Sequence, residues 1–271
     1  MMLRPHTVIL ATSVLLAPAL ATGCASRADR AARVVDTAAS PSRPCILPAP
    51  VVVHADPSPT MPGASLLQRY DVPGIASWEG TQDPVGPDWP AARRAMATLA
   101  RSTDPVTLLL GYPTANNRLV ARHAAEWIAA PTCLEKALLG AQHARLSFAA
   151  APTEFIAFVL ARPDSDRLRI WYYTVNRNGS GSMTPLTSAI QPDLDAGWTL
   201  RYSLHNHPFA ADTARWHGIP GPSAGDAQFH QNYAPRHALP EARITNGFST
   251  VRIPAKAFPL LTRSDDPVPA P

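Results

Sequence analysis

The chain carries His205-Asn206-His207-Pro208 at the end of a strand-like apolar run, and Ser223-Ala224-Gly225-Asp226 at a helix-like start. This pair of segments constrains the fold more than any other feature. Two histidines two residues apart on a strand point to the same side of it, so one ion can take both imidazoles. Asp226, three residues after a serine that reads as a helix cap, can supply a third ligand atom. Three protein ligands and one open position is how a catalytic zinc site is built.

Composition narrows the setting. The 271 residues suffice for one or two domains with a proper core. The net charge is +4, lysine occurs only at Lys136 and Lys256, and the arginines are scattered without a dense basic run. There is no nucleic-acid footprint in that pattern, and no nucleic-acid partner is expected. The 30 prolines crowd between Pro41 and Pro90 and again from Pro254 onward, where they favour extended, weakly packed backbone.

The N-terminus reads as a targeting segment. Arg4 precedes an apolar run from Thr7 to Thr22 that is interrupted by Pro18 and too short for a comfortable membrane span. The run ends in Leu20-Ala21-Thr22-Gly23-Cys24, which resembles a bacterial lipobox, although Ala21 stands where that motif usually has leucine. The resemblance implies removal of residues 1–23, lipidation of Cys24 and attachment to a membrane through that lipid. Ala25 lacks the aspartate that retains many Gram-negative lipoproteins in the inner membrane, so the expected site is the outer membrane, facing the periplasm. The alternative is ordinary secretion, with Ala19-Leu20-Ala21 as an A-x-A cleavage site. Both place the mature chain outside the cytoplasm. Cys45 and Cys133 then remain as an even pair in an oxidising compartment, either as a disulfide between the proline-rich arm and the helical region or as two independent thiols.

Residues 24–90 read as a proline-rich tether or irregular arm. Residues 91–147 read as a helical segment packed on the core. Its helices are Ala91 to Arg101, Asn117 to Ala130, and a third running to about Ser147, which Thr132 caps with Glu135 in capping-box position. The texture changes at Pro152. Phe155 to Ala161, Leu168 to Val175 and Trp198 to His205 read as strands, with a loop after Asn178-Gly179. A helix capped by Ser223 runs to about Tyr233, and Arg243 to Ile253 form a hairpin about Asn246-Gly247. Residues 148–260 form the main domain and 261–271 a disordered tail. The fold class is α+β, a three-layer arrangement with a mixed sheet flanked by helices.

An acidic residue at the head of a strand, then His-x-His-Pro, then Ser-x-x-Asp, resembles the JAMM (MPN+/JAB) metalloprotease motif. The matching residues are Glu154, His205, His207, Ser223 and Asp226, and the resemblance covers roughly residues 150–255. It implies a JAB/MPN-like mixed sheet and one zinc ion held by His205, His207 and Asp226. It also implies Glu154 as general base and Ser223 as donor to the oxyanion. The activity implied is hydrolysis of a peptide or isopeptide amide in a peptide or protein substrate. The segment from Phe209 to Pro222 is longer than the family's spacing and would be a lid or a plain surface loop. Ala157 stands where the family's opening strand often has glycine. His217, His230 and His237 read as surface residues. The alternative function is a non-catalytic binding or scaffold module of the same fold at the cell envelope.

Overall fold

The computed structural model describes residues 44–58, 60–177, 183–210 and 218–269. The leader, Cys24, the Asn178-Gly179 turn, Trp216 and His217 lie outside the described residues.

Among the described residues, fifteen further elements follow strand β1 (Val51–Ala55) and strand β2 (Leu66–Pro73). Five helices come next: α1 (Ile75–Glu79), α2 (Asp88–Leu99), α3 (Pro105–Gly111), α4 (Ala115–Arg122) and α5 (Ala124–Trp127). The short strand β3 (Ile128–Ala129) leads into α6 (Cys133–Arg145), and β4 (Phe155–Ala161) and β5 (Arg167–Thr174) follow. Helix α7 (Thr184–Asp195) precedes β6 (Thr199–Asn206), and α8 (Ala224–His237) precedes β7 (Glu241–Thr245) and β8 (Thr250–Pro254). A single 3₁₀ turn, Ala255–Leu260, closes the series.

All the strands join one mixed sheet in the order β1-β2-β5-β4-β6-β7-β8-β3. Strand β4 is buried along its whole length between β5 and β6, which is why it reads as an unbroken apolar run. Among the described residues, only β6 and β7 pair in parallel. A parallel pair needs a crossover over one face of the sheet, and α8 lies on that crossover. The start of α8 is thereby returned to the end of β6 from which the chain left.

Side-chain alternation separates the layers. Phe158 of β4 stacks on Phe229 and Tyr233 of α8, and Trp171 of β5 donates to Asp193 of α7, so α7 and α8 cover one face. The Tyr172 hydroxyl bonds Gln142 of α6, and Thr250 of β8 donates to Glu135 of α6, so α6 covers the other. The three-layer α+β class is therefore the observed one.

On the α6 face, Arg243 is buried over the Tyr202 ring at 3.5 Å, with Glu79 at 2.9 Å and Glu135 at 3.4 Å from its guanidinium. Tyr202 donates to Glu79 at 2.8 Å, and Glu135 also closes the Thr132 capping box. Four elements are cross-linked by this one group of charges.

Three boundaries differ from the sequence reading. Within the stretch read as a tether or irregular arm, residues 66–73 form β2, which pairs with β5 over its full length and buries Leu66, Leu67, Tyr70 and Val72. Its prolines bracket the strand rather than interrupt it. The stretch 91–147, read as helical, also gives β3 to the sheet, and the helix expected over Asn117 to Ala130 breaks at His123. Residues 261–269 are packed, not a disordered tail. Leu261 is buried, Thr262 and Asn116 exchange bonds at 2.8 and 2.9 Å, and the Val268 N–H donates to Pro113 at 3.0 Å. Cys45 and Cys133 are joined, which ties the first residue of α6 to the chain before β1.

Candidate metal centre

The strand β6 ends with His205 and Asn206, and His207 follows with its N–H bonded to the Thr245 carbonyl of β7 at 2.9 Å. His205 and His207 therefore keep strand alternation and face α8 together. At the first turn of α8, Ser223 is the N-cap: its hydroxyl accepts the Asp226 N–H at 3.1 Å, and Asp226 Oδ2 accepts the Ser223 N–H at 2.8 Å. This capping box fixes the Asp226 side chain in the direction of β6.

One ligand atom from each of His205, His207 and Asp226 lies within 4.8 Å of the others, so the group can hold a metal ion. His205 Nε2 is 3.2 Å from His207 Nε2 and 3.1 Å from Asp226 Oδ1, and His207 Nε2 is 3.4 Å from Asp226 Oδ2. His207 Nδ1 sits 2.7 Å from the Ile219 carbonyl. A carbonyl only accepts, so Nδ1 carries the hydrogen, and in the neutral ring Nε2 presents its lone pair to the centre.

The electrostatics follow from this geometry. Burial works to raise the Asp226 carboxyl, but the facing His205 and His207 outweigh it and hold it well below its ordinary range. Burial works to lower His207, and the hydrogen bond and charge of Asp226, then the charge of Glu154, carry it the other way to about 9. Glu154 thus acts on the centre through its charge. The last β4–β6 pair is Ile156 with His205, so one alternation further Glu154 and His207 face each other on the α8 side.

Ser223 is at the site, and its hydroxyl donates to Asp226 Oδ2 at 2.8 Å. Its N-cap role is observed and does not exclude a second one. Of the histidines read as surface residues, His230 is buried. Its Nδ1 donates to the Asp226 carbonyl at 2.7 Å, and its Nε2 accepts the Ser203 hydroxyl at 3.1 Å. Burial pushes His230 down to about 4, so it is a neutral prop behind Asp226. The signal was in the spacing, since His230 is one helical turn after Asp226 and Ser203 shares its strand face with His205. Two further contributors escaped notice: the Ile219 carbonyl, which no side-chain pattern reveals, and Asp265, whose Oδ1 accepts the Ala224 N–H at 2.7 Å.

No protein-family model, no curated protein and no solved structure matches this chain.

Proposed function

We propose that the chain is a zinc-dependent hydrolase of peptide or isopeptide amide bonds, with a centre similar to that of the JAMM metalloproteases. The observation that carries this reading is the convergence of His205, His207 and Asp226, with the charge of Glu154 bearing on the same point. The donor set suits zinc. With bonds of about 2.0–2.1 Å, ligand atoms on a tetrahedral ion stand about 3.3–3.4 Å apart, close to the 3.1, 3.2 and 3.4 Å found here. When bound, zinc supplies Lewis acidity, lowering the pKa of water toward neutrality and polarising the substrate carbonyl.

The protein residues perform the rest. Glu154 takes a proton from the attacking water and returns it to the leaving amine. Ser223 turns its hydroxyl from Asp226 to donate to the developing oxyanion. His230 and the Ile219 carbonyl hold Asp226 and His207 against displacement. A groove of about 450 Å³ lies between α7 and α8, lined by Gly225, Phe229 and Tyr233. Export through the leader and lipidation of Cys24 complete the proposal, and the Cys45–Cys133 disulfide supports an oxidising compartment.

The deciding measurement is the zinc content of the purified chain beside His205→Ala and Asp226→Ala variants. One zinc per chain, lost in both folded variants, is the expected result. A folded chain that takes up no zinc removes the hydrolase reading and leaves a binding module.

A further inference from the structure

The proposed chemistry requires Glu154 to keep one position opposite His207, yet Glu154 precedes β4 and belongs to no ladder. Strand ends fray unless they are tied down. On the β5 side two bonds hold this residue: its N–H donates to the Arg177 carbonyl at 3.0 Å, and Thr174 Oγ1 donates to its carbonyl at 2.7 Å.

On the β6 side the paired register stops at Ile156 and His205, and a side chain takes over. Asn206 Oδ1 accepts the Phe155 N–H at 2.8 Å, and Asn206 Nδ2 donates to the Thr153 carbonyl at 3.0 Å. The two ends of one amide therefore grip the residue before Glu154 and the residue after it. Asn206 is 1% exposed, and alternation along β6 turns its side chain away from the ligand atoms of its neighbours. Its side chain is no ligand, and removing it deletes none. Aspartate keeps the acceptor and lacks the donor, while an apolar residue lacks both.

We infer that Asn206 is a positioning residue that sets the place of Glu154 relative to the ion held by His205, His207 and Asp226. This rests on the metal-centre reading above. The segment between the two histidines is thus more than a spacer: one strand end orients both imidazoles with its backbone and the general base with its amide.

The test uses the purified chain loaded with cobalt, whose visible spectrum reports the metal's surroundings, and two probes. Acetohydroxamate chelates the metal through both oxygens and passes its hydroxyl proton to a neighbouring base, so it reads the position of Glu154. Azide meets the metal alone. Asn206→Ala is expected to keep one cobalt per chain and to bind azide no more weakly than the unmodified chain. Its affinity for acetohydroxamate is expected to fall about tenfold or more. Asn206→Asp, nearly isosteric, falls by less and serves if the alanine variant does not fold. Combining Asn206→Ala with Glu154→Gln gives no further loss beyond Glu154→Gln alone, because both act through the same carboxylate. Wild-type acetohydroxamate affinity in the folded Asn206 variants, equal weakening of both probes, or additive losses in the double variant each overturn the assignment. An unmodified chain that takes up no cobalt or zinc overturns the metal reading, and this one with it.

Discussion

His205 Nε2 and His207 Nε2 lie 3.2 Å apart with the Asp226 carboxylate against both. Without a metal, protons must mediate that contact, and the electrostatics agree: His207 is raised from 6.5 to about 9. A folded-state value above the unfolded one means that the pair stabilises the metal-free chain fully below about 6.5. That stability is lost as pH rises through about 9. Metal requires the same nitrogen unprotonated, so its uptake releases protons and strengthens with pH. The melting temperature of the metal-free chain is therefore expected to fall between pH 6.5 and 9, and the increment added by zinc to grow over the same range. Melts at several pH values with and without zinc check this. A zinc increment that shrinks with rising pH would show that His207 is not a ligand.

Glu154 adds charge to the centre and no ligand atom to the set. Glu154→Gln is expected to retain one zinc per chain and to lose hydrolysis by about 10²–10⁴-fold, once a peptide substrate is found. Metal analysis beside turnover of the same preparation separates the two effects. Full turnover in the variant removes the general-base role.

The core of this site was legible because each part obeys a local rule. The unbroken apolar run of Phe155 to Ala161, the strand pattern of Trp198 to His205, the Ser223 cap and the Asn246-Gly247 turn each follow from a few neighbouring residues, and the observed elements agree within a few positions. The rest depended on partners far away in sequence. Strand β2 carries Gln68, Arg69 and Asp71 between prolines, and only pairing with β1 and β5 makes it a strand. Helix α7 contains Pro185 and Pro192, which hid it, although proline is welcome in a first turn. Asp265 and Asn116 look like ordinary surface residues until the C-terminal segment is seen to run against α4 and the start of α8.

Arg243 is another residue whose role lies wholly in tertiary context. It is 5% exposed and meets Glu79, Glu135 and Glu241 as well as the Tyr202 ring. Removing one partner of a buried charge group leaves the others uncompensated, at a cost of about 3–5 kcal/mol. Arg243→Ala is expected to lose stability on that scale in urea unfolding. A loss under about 1 kcal/mol would show that water reaches the carboxylates.

The disulfide closes a separation of 88 residues and anchors the start of α6. That helix holds Thr153, next to Glu154, through Gln142 Nε2 at 2.6 Å. Replacing Cys45 and Cys133 by serine is expected to cost about 2–4 kcal/mol, chiefly by freeing the unfolded chain. Denaturant unfolding of the oxidised chain and the double variant measures it. Equal midpoints in the two would mean that packing of α6 alone holds the arm.

Gly218 connects backbone conformation to the candidate metal ligands. Its φ is +62°, a Cβ there would stand 2.4 Å from the Phe209 ring, and its carbonyl accepts Asn246 Nδ2 at 2.7 Å. The next residue, Ile219, supplies the carbonyl that orients His207. Phe209 is fully buried against Phe248, so the ring has little room to retreat. Gly218→Ala must therefore shift the backbone at Ile219, at a cost of about 1–3 kcal/mol. The shift loosens the His207 Nδ1 bond, and zinc affinity is expected to fall about 10–100-fold, as for other groups that orient a metal ligand. Competition with a chelator of known affinity reads the change. Unaltered zinc affinity in a destabilised Gly218→Ala chain would mean that Ile219 does not orient the ligand.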